Sequence, residues 1–265
     1  MSSARKRVVR WENFMTAETG DDLAIEEPLE IRIDTQPLVV TMRTPGHDEE
    51  LAAGFLVTEG LIRLRSELRG IRKNPRNRSG NSLDIFLAPE ISVNFDRLAR
   101  RVFSSSSCGL CGKETLRSVR QRFKAVTSPL SVSASVLAQL PEKLRAAQPT
   151  FERTGGLHAA GLFTSDGELV AAREDIGRHN AVDKIVGFGL LNGLLPFREH
   201  ILVVSGRASF EIMQKSLAAR IPIVCAVSAP SSLAVEFARE NRQTLIGFLR
   251  GRRMNVYAGR RRVRF

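Results

Sequence analysis

A chain of 265 residues, 43% of them hydrophobic, can bury a sizeable core as one large domain or two modest ones. Three cysteines are too few, and odd in number, for a disulfide framework, and the basic start Arg5-Lys6-Arg7 reaches Arg10-Trp11-Glu12-Asn13 without the apolar run of a secretory signal. No apolar stretch is long enough to span a bilayer, so a cytoplasmic protein is expected, and a net charge of +12 predicts an anionic ligand or partner.

Residues 1–28 show no sustained periodicity and read as an irregular N-terminal arm. Leu29–Asp34 alternates apolar and polar residues, and Pro37–Met42 follows a turn, which predicts a hairpin. His47-Asp48-Glu49-Glu50 opens a helix with acids in its first turn and Leu51, Phe55 and Leu61-Ile62 on its apolar side. The basic stretch Arg63–Arg78 reads as a solvated face. It runs into a loop over 72–81, and a strand is expected at Leu83–Leu87.

Four consecutive serines then lead into Cys108-Gly109-Leu110-Cys111-Gly112. Serine and glycine cannot pack a core, so both thiols are expected to be exposed. Leu116, Val119 and Phe123 recur at helical spacing, which puts Cys111 at or just before a helix start. The helix dipole and Lys113 would both favour thiolate there, the reactive form. Residues 29–127 thus form an α+β portion ending in the CxxC loop and its helix. Residues 128–149 read as a connecting segment with one short amphipathic helix over 136–147.

From residue 150 to 265 strands and helices alternate, ending in an arginine-rich tail. Ile201–Gly206, Ile221–Val227 and Thr244–Leu249 are strands, separated by helices over 209–220 and 231–241. This order predicts an α/β layered core with a partly parallel sheet. Ligands of such sheets bind beyond the carboxyl ends of the strands, which selects Ser205-Gly206-Arg207, Ser228-Ala229-Pro230 and Arg250-Gly251-Arg252 as an anion site. Cys225, inside the second strand, reads as a small buried hydrophobe.

Several chemistries compete for the CxxC pair. It could be half of a zinc site completed by Cys225, His158 or His179, but no second CxxC or HxxxH pair exists. A thioredoxin-like pair would follow a strand, not a serine run. A thiol that carries a group fits best. Two further motifs are dense in polar groups: Thr154-Gly155-Gly156-Leu157-His158 and Arg173–Lys184, the second containing Asp175, His179, Asn180 and Asp183. Helix capping and ion pairing account for about half of the second, and the roles of His158, His179 and Asp183 stay open.

Taken together, SSSSCGLCGKE, TGGLHAAGLF, REDIGRHNAVDKIVG, SGRAS and AVSAPSSLAVEFA resemble the FdhD family, the sulfur carriers needed for active formate dehydrogenase. The resemblance runs from about Glu30 to Tyr257, in family order and spacing. It implies a cytidine-deaminase-like α/β core with a smaller N-terminal α+β portion, and a homodimer. It also implies sulfur accepted from a cysteine desulfurase as a persulfide on Cys108, with Cys111 as an auxiliary. The sulfur would pass to Mo-bis(molybdopterin guanine dinucleotide) before that cofactor enters formate dehydrogenase. The guanine-dinucleotide contact of the family falls on Gly247, Phe248, Leu249, Arg250, Gly251 and Arg252. No permanently bound metal is implied. Deaminase chemistry is not expected, because the HxE proton shuttle is missing: His158 is followed by Ala159-Ala160. Rival readings are a non-catalytic chaperone for the cofactor and, less favoured with one Trp and one Tyr for stacking, a nucleic-acid binder.

Overall fold

Leu29, Ile31 and Ile33 alternate with more exposed neighbours, so Glu27–Ile33 is a half-buried strand with one face on the core. In the computed structural model, which describes residues 2–77, 79–93, 95 and 123–265, it is the third strand. The chain begins with β1 (Ser3–Glu12) and β2 (Met15–Ala24), followed by β3 (Glu27–Ile33), β4 (Gln36–Arg43), α1 (Asp48–Thr58), β5 (Leu68–Lys73) and β6 (Ser82–Leu87). Strands β4-β3-β6-β5 form one sheet, with β3 and β6 parallel.

Two expectations are corrected here. The arm expected over 1–28 is a regular antiparallel ribbon, paired from Ser3↔Ala24 to Glu12↔Met15. Its turn residues, Asn13 and Phe14, both take positive φ (51° and 63°), which is the two-residue turn that matches strand twist. The ribbon buries neither face, so no burial period marked it. The basic stretch 63–78 is likewise not all solvated face, since it contains β5, which pairs with β6 and buries Leu68.

Beyond residue 123 come β7 (Val132–Ser133), α2 (Ala134–Ala146), α3 (Pro149–Thr154), β8 (His158–Phe163), β9 (Leu169–Asp175) and α4 (Arg178–Leu191). They are followed by β10 (Ile201–Val204), α5 (Phe210–Ala218), β11 (Ile223–Ala226), α6 (Ser232–Glu240), β12 (Thr244–Arg250), β13 (Arg253–Ala258) and β14 (Val263–Arg264). The six-stranded sheet has the order β13-β12-β11-β10-β8-β9, with β10, β11 and β12 parallel and the other neighbours antiparallel.

Side chains leave this sheet alternately on its two faces. Leu202, Val204, Val224, Ala226 and Leu245 join α1, α4, α5, α6 and the four-stranded sheet in one continuous core. Ile201, Val203, Ile223, Cys225 and Ile246 face α2. The fold is therefore a layered α/β core, and its N-terminal α+β portion shares the main core. Segment 128–149 is more than a connection: Leu137, Leu140 and Leu144 of α2 are buried against the sheet, and β7 pairs with β14. Among the described residues no helix is long and apolar enough to cross a membrane.

Two glycines set how closely the layers approach. A Cβ on Gly54 of α1 would overlap the carbonyl oxygen of Asp183 and lie 2.7 Å from the backbone nitrogen of Gly187. A Cβ on Gly187 of α4 would overlap the carbonyl oxygen of Glu50. The C-terminal arginines also divide by role. Arg262 is buried, and its guanidinium donates to the carbonyl oxygens of Arg242 (2.8 Å) and Ser128 (3.2 Å), so it fastens the chain end instead of facing a ligand.

Candidate functional site

The carboxyl ends of β10, β11 and β12 open into a cavity of about 920 Å³. Ser205, Val227, Leu249, Arg250 and Gly251 form its floor, with His158 from the start of β8. Its roof is the end of α2 (Pro141, Leu144, Arg145), α3 (Phe151, Glu152) and Gly155-Gly156. Gly155 takes φ 64° to end α3, a conformation that suits glycine. Arg145 stacks 4.3 Å over the Phe151 ring and pairs with Glu152 at 2.8 Å, which holds a cation at the mouth.

Main-chain bonds tie the three predicted strand-end loops together. Ala208 N–H donates to the Ala229 carbonyl (3.2 Å), Ser231 N–H to that of Ala208 (3.0 Å) and Phe248 N–H to that of Ser228 (3.1 Å). Ser205 Oγ accepts from Ala159 N–H at 2.9 Å, and Arg250 Nε donates to the Val227 carbonyl at 2.9 Å. Of the six predicted contact residues, Leu249, Arg250 and Gly251 line the cavity. Gly247 packs under it instead: a Cβ there would lie 2.7 Å from Pro230 Cδ and 3.0 Å from Tyr257 Cε2. Phe248 sits at a β-bulge with φ 52°, its ring partly exposed, and Arg252 is exposed in the turn to β13.

A second group of polar side chains gathers where β8, β9, α4 and the loop after β10 meet. His158 Nδ1 faces Gly206, where a Cβ would come within 3.3 Å of it and 4.0 Å of Arg178 Cδ. Burial foremost, then the charges of Arg178, His179 and Arg207, hold the His158 pKa below the ordinary value. His179 Nε2 lies 2.8 Å from Glu211 Oε2 and 3.3 Å from Ser209 Oγ. That hydrogen bond holds the Glu211 carboxyl below its usual range.

The remaining residues of the motif are structural. Asp183 accepts from Thr58 Oγ1 (2.8 Å) and from Lys215 Nζ (2.8 Å) in the layer between the sheets. Asp175 accepts from Gly177 N–H (2.8 Å) and Asn180 Nδ2 (2.9 Å) and pairs with Lys184 at 2.7 Å. Cys225 is fully buried, and burial pushes its thiol pKa up, as a small hydrophobe in β11 requires. Cys108 and Cys111 lie outside the described residues. The described chain on the far side of that segment anchors near the amino ends of β11 and β12: Val126 N–H donates to the Asn241 carbonyl at 2.9 Å and Arg220 to those of Lys124 and Ala125.

The residue that sequence reasoning missed is Arg178. Its only signal was its place at the helix start after an Asp-Ile-Gly turn, and nothing in one dimension shows that it comes beside Gly206 and His158.

The FdhD/NarQ family model matches residues 24–264. This chain belongs to the FdhD/NarQ family. Its FdhD relatives align over nearly the whole length. The "Sulfur carrier protein FdhD" of Streptomyces coelicolor is 51% identical over 267 residues, covering 98% of this chain and 95% of the relative. The protein of the same name from Mycobacterium tuberculosis is 46% identical over 272 residues, covering 99% of each. The FdhD fold is also seen in the crystal structure of a Desulfotalea psychrophila protein assigned as a formate dehydrogenase accessory protein. It superposes with a TM-score of 0.79 over 100% of both chains at 23% identity.

Proposed function

We propose that this chain is a sulfur carrier for formate dehydrogenase that moves sulfane sulfur as a persulfide on Cys108, with Cys111 as an auxiliary thiol. The relatives named as sulfur carriers support the carrier role. What carries the cofactor side of the reading is one coincidence. The strand-end cavity of about 920 Å³ is floored by Leu249, Arg250 and Gly251, three of the six residues that the family resemblance marks for a guanine dinucleotide. Its apolar walls suit a flat base, and Arg250 at the strand end suits a phosphate tail. The protein would act as a homodimer in the cytoplasm.

In the loading step the Cys108 thiolate attacks the terminal sulfur of the persulfide of a cysteine desulfurase. One S–S bond breaks as another forms, and the desulfurase cysteine leaves as thiolate. The oxidation state of the moving sulfur is unchanged. In the delivery step the substrate is Mo-bis(molybdopterin guanine dinucleotide). The persulfide, its proton already lost to solvent, would give up its terminal sulfur as the S–S bond breaks: Cys108 leaves as thiolate, and the reduced metal of the substrate would supply the two electrons that turn the sulfane sulfur into sulfide. A depressed thiol pKa helps each departure.

Incubation with desulfurase and labelled cysteine is expected to put one reductant-labile sulfur on the peptide containing Cys108, and Cys108→Ala to abolish both label and formate dehydrogenase maturation. A Cys108→Ala protein that still supports maturation would leave only a non-catalytic cofactor chaperone. Arg250→Ala is expected to weaken GDP binding about tenfold, as loss of a charge-assisted contact does, while loading of sulfur is retained.

A further inference from the structure

Gln148 lies in the roof of the strand-end cavity, in the turn between α2 and α3, and is 4% exposed. Among the described residues it is the only buried polar side chain of the cavity wall: Glu142, Arg145, Glu152 and Arg250 are exposed, and His158 and Ser205 are half-buried. Its position is the N-cap of α3, where a polar side chain ordinarily accepts from the first turn, yet the Gln148 side chain makes no capping bond. Glu174 of β9 caps the helix instead, its carboxylate accepting Thr150 N–H at 3.0 Å and Phe151 N–H at 2.7 Å. The main chain of Gln148 is satisfied as well. Its N–H donates to the Arg145 carbonyl at 3.2 Å, and its carbonyl accepts from Glu152 N–H at 2.9 Å. Only the side-chain amide is left over, with no hydrogen bond to any described residue. An amide kept from water without a partner costs about 1–3 kcal/mol, which an apolar residue of the same size would avoid.

We propose that Gln148 is the residue that reads the guanine base, its amide pairing with O6 and N1–H of the ring edge. The proposal rests on the reading above, that the cavity takes a guanine dinucleotide, and adds which side chain recognises the base. A phosphate presents acceptors alone, so it has no use for the carbonyl half of a carboxamide. The amide offers a donor and an acceptor side by side, and the guanine edge offers their complement. Nε2–H donates to O6 while Oε1 accepts from N1–H, a two-bond contact of the kind that side-chain amides make with base edges. Leu144, Leu157 and Leu249 give the cavity apolar wall for the faces of the ring, and one placed polar group then fixes its orientation. Glu152, the other roof carboxylate beside the turn, is engaged with Arg145 at 2.8 Å. The two main-chain bonds hold Gln148 from both helices, so its amide is presented ready for the ligand and little ordering is left for binding.

Calorimetric titration of the full chain with GDP and with N1-methyl-GDP isolates the base contact. In the wild type the methyl group removes the N1 donor and blocks the edge, and it is expected to raise the Kd about tenfold or more. Gln148→Met, unbranched and similar in volume, is expected to raise the Kd for GDP by about the same factor. It should then bind GDP and N1-methyl-GDP alike, within about twofold, because two groups in direct contact do not lose affinity additively. Without ligand, Gln148→Met is expected to melt no lower than wild type, since a thioether replaces an amide that had no partner. If GDP affinity is unchanged in Gln148→Met but weakened in Arg250→Ala, the cavity reading stands and Gln148 has no part in it, which overturns the proposal. Methylation that costs as much in Gln148→Met as in wild type would put another group on N1 and overturn it too, whatever the melting temperature. A wild type that binds no GDP defeats the cavity reading and this proposal together.

Discussion

Gly54→Ala and Gly187→Ala are each expected to lower the melting temperature by roughly 6–12 °C, at 2–4 °C per kcal/mol for a protein of this size. In an isolated helix the same change would help, since alanine is favoured over glycine by about 0.5–1 kcal/mol. Here the crossing of α1 and α4 reverses the sign. The added methyl on Gly54 would meet the Asp183 carbonyl and the Gly187 nitrogen, the latter at 2.7 Å, well inside an ordinary contact of about 3.5–4.0 Å. Backbone cannot rotate aside as a side chain can, so the helices must part and the core between the two sheets opens with them. A net cost of about 3 kcal/mol, near the upper end for overpacking, follows. The double variant should cost less than the sum of the singles, because helices already separated admit the second methyl. Gly70→Ala is the control: nothing lies within 4 Å of its added Cβ, and it should fall within about 0.5 kcal/mol of wild type. Thermal melts decide the matter, and equal melting temperatures for Gly54→Ala and Gly70→Ala would show that the helices do not pack backbone to backbone.

How legible this fold is from sequence depends on how each element is buried. Strands β10, β11 and β12 are short apolar runs covered on both faces, so they stand out against the polar turns around them, and the order of strand and helix follows. The carboxyl-end rule then selects Ser205, Arg250 and Gly251, which line a cavity in the fold. Ribbon β1–β2 fails the same test for the opposite reason. It buries no face, leaving Trp11 at 64% and Phe14 at 91% exposure, so it carries no hydrophobic period to read. Strand β5 was hidden by its outward basic residues. Helix α2 was legible over 136–147, but that Leu137, Leu140 and Leu144 cover the sheet, making the segment more than a connection, shows only in the fold. The approach of Arg178 and His158 to Gly206 joins an α4 start, a β8 start and the loop after β10. Only the tertiary fold can bring those together.

Lys184→Met is expected to destabilise the protein by about 3–5 kcal/mol, the cost of leaving a buried charge unpaired. Lys184 is 1% exposed and Asp175 0%, and their nitrogen and oxygen lie 2.7 Å apart. All three ammonium protons are used, on Asp175 Oδ2, the Thr44 carbonyl (3.0 Å) and the Glu174 carbonyl (3.1 Å). Asp175 is equally occupied: Oδ1 takes Gly177 N–H and Asn180 Nδ2, and Oδ2 takes Lys184 and Thr44 N–H at 3.3 Å. Methionine fills a similar volume but strands two carbonyl acceptors and a carboxylate in a region that water does not reach. The double variant Asp175→Asn/Lys184→Met removes the orphaned charge and should recover part of the loss, whereas an ordinary packing defect would not be repaired by the second change. This pair also fixes the site. Asp175 is the register partner of His158 and bonds the turn at Gly177 that starts α4. Lys184→Met should therefore also loosen the turn at Gly177 that starts α4, and a variant that melts like wild type would show the pair to be dispensable to stability.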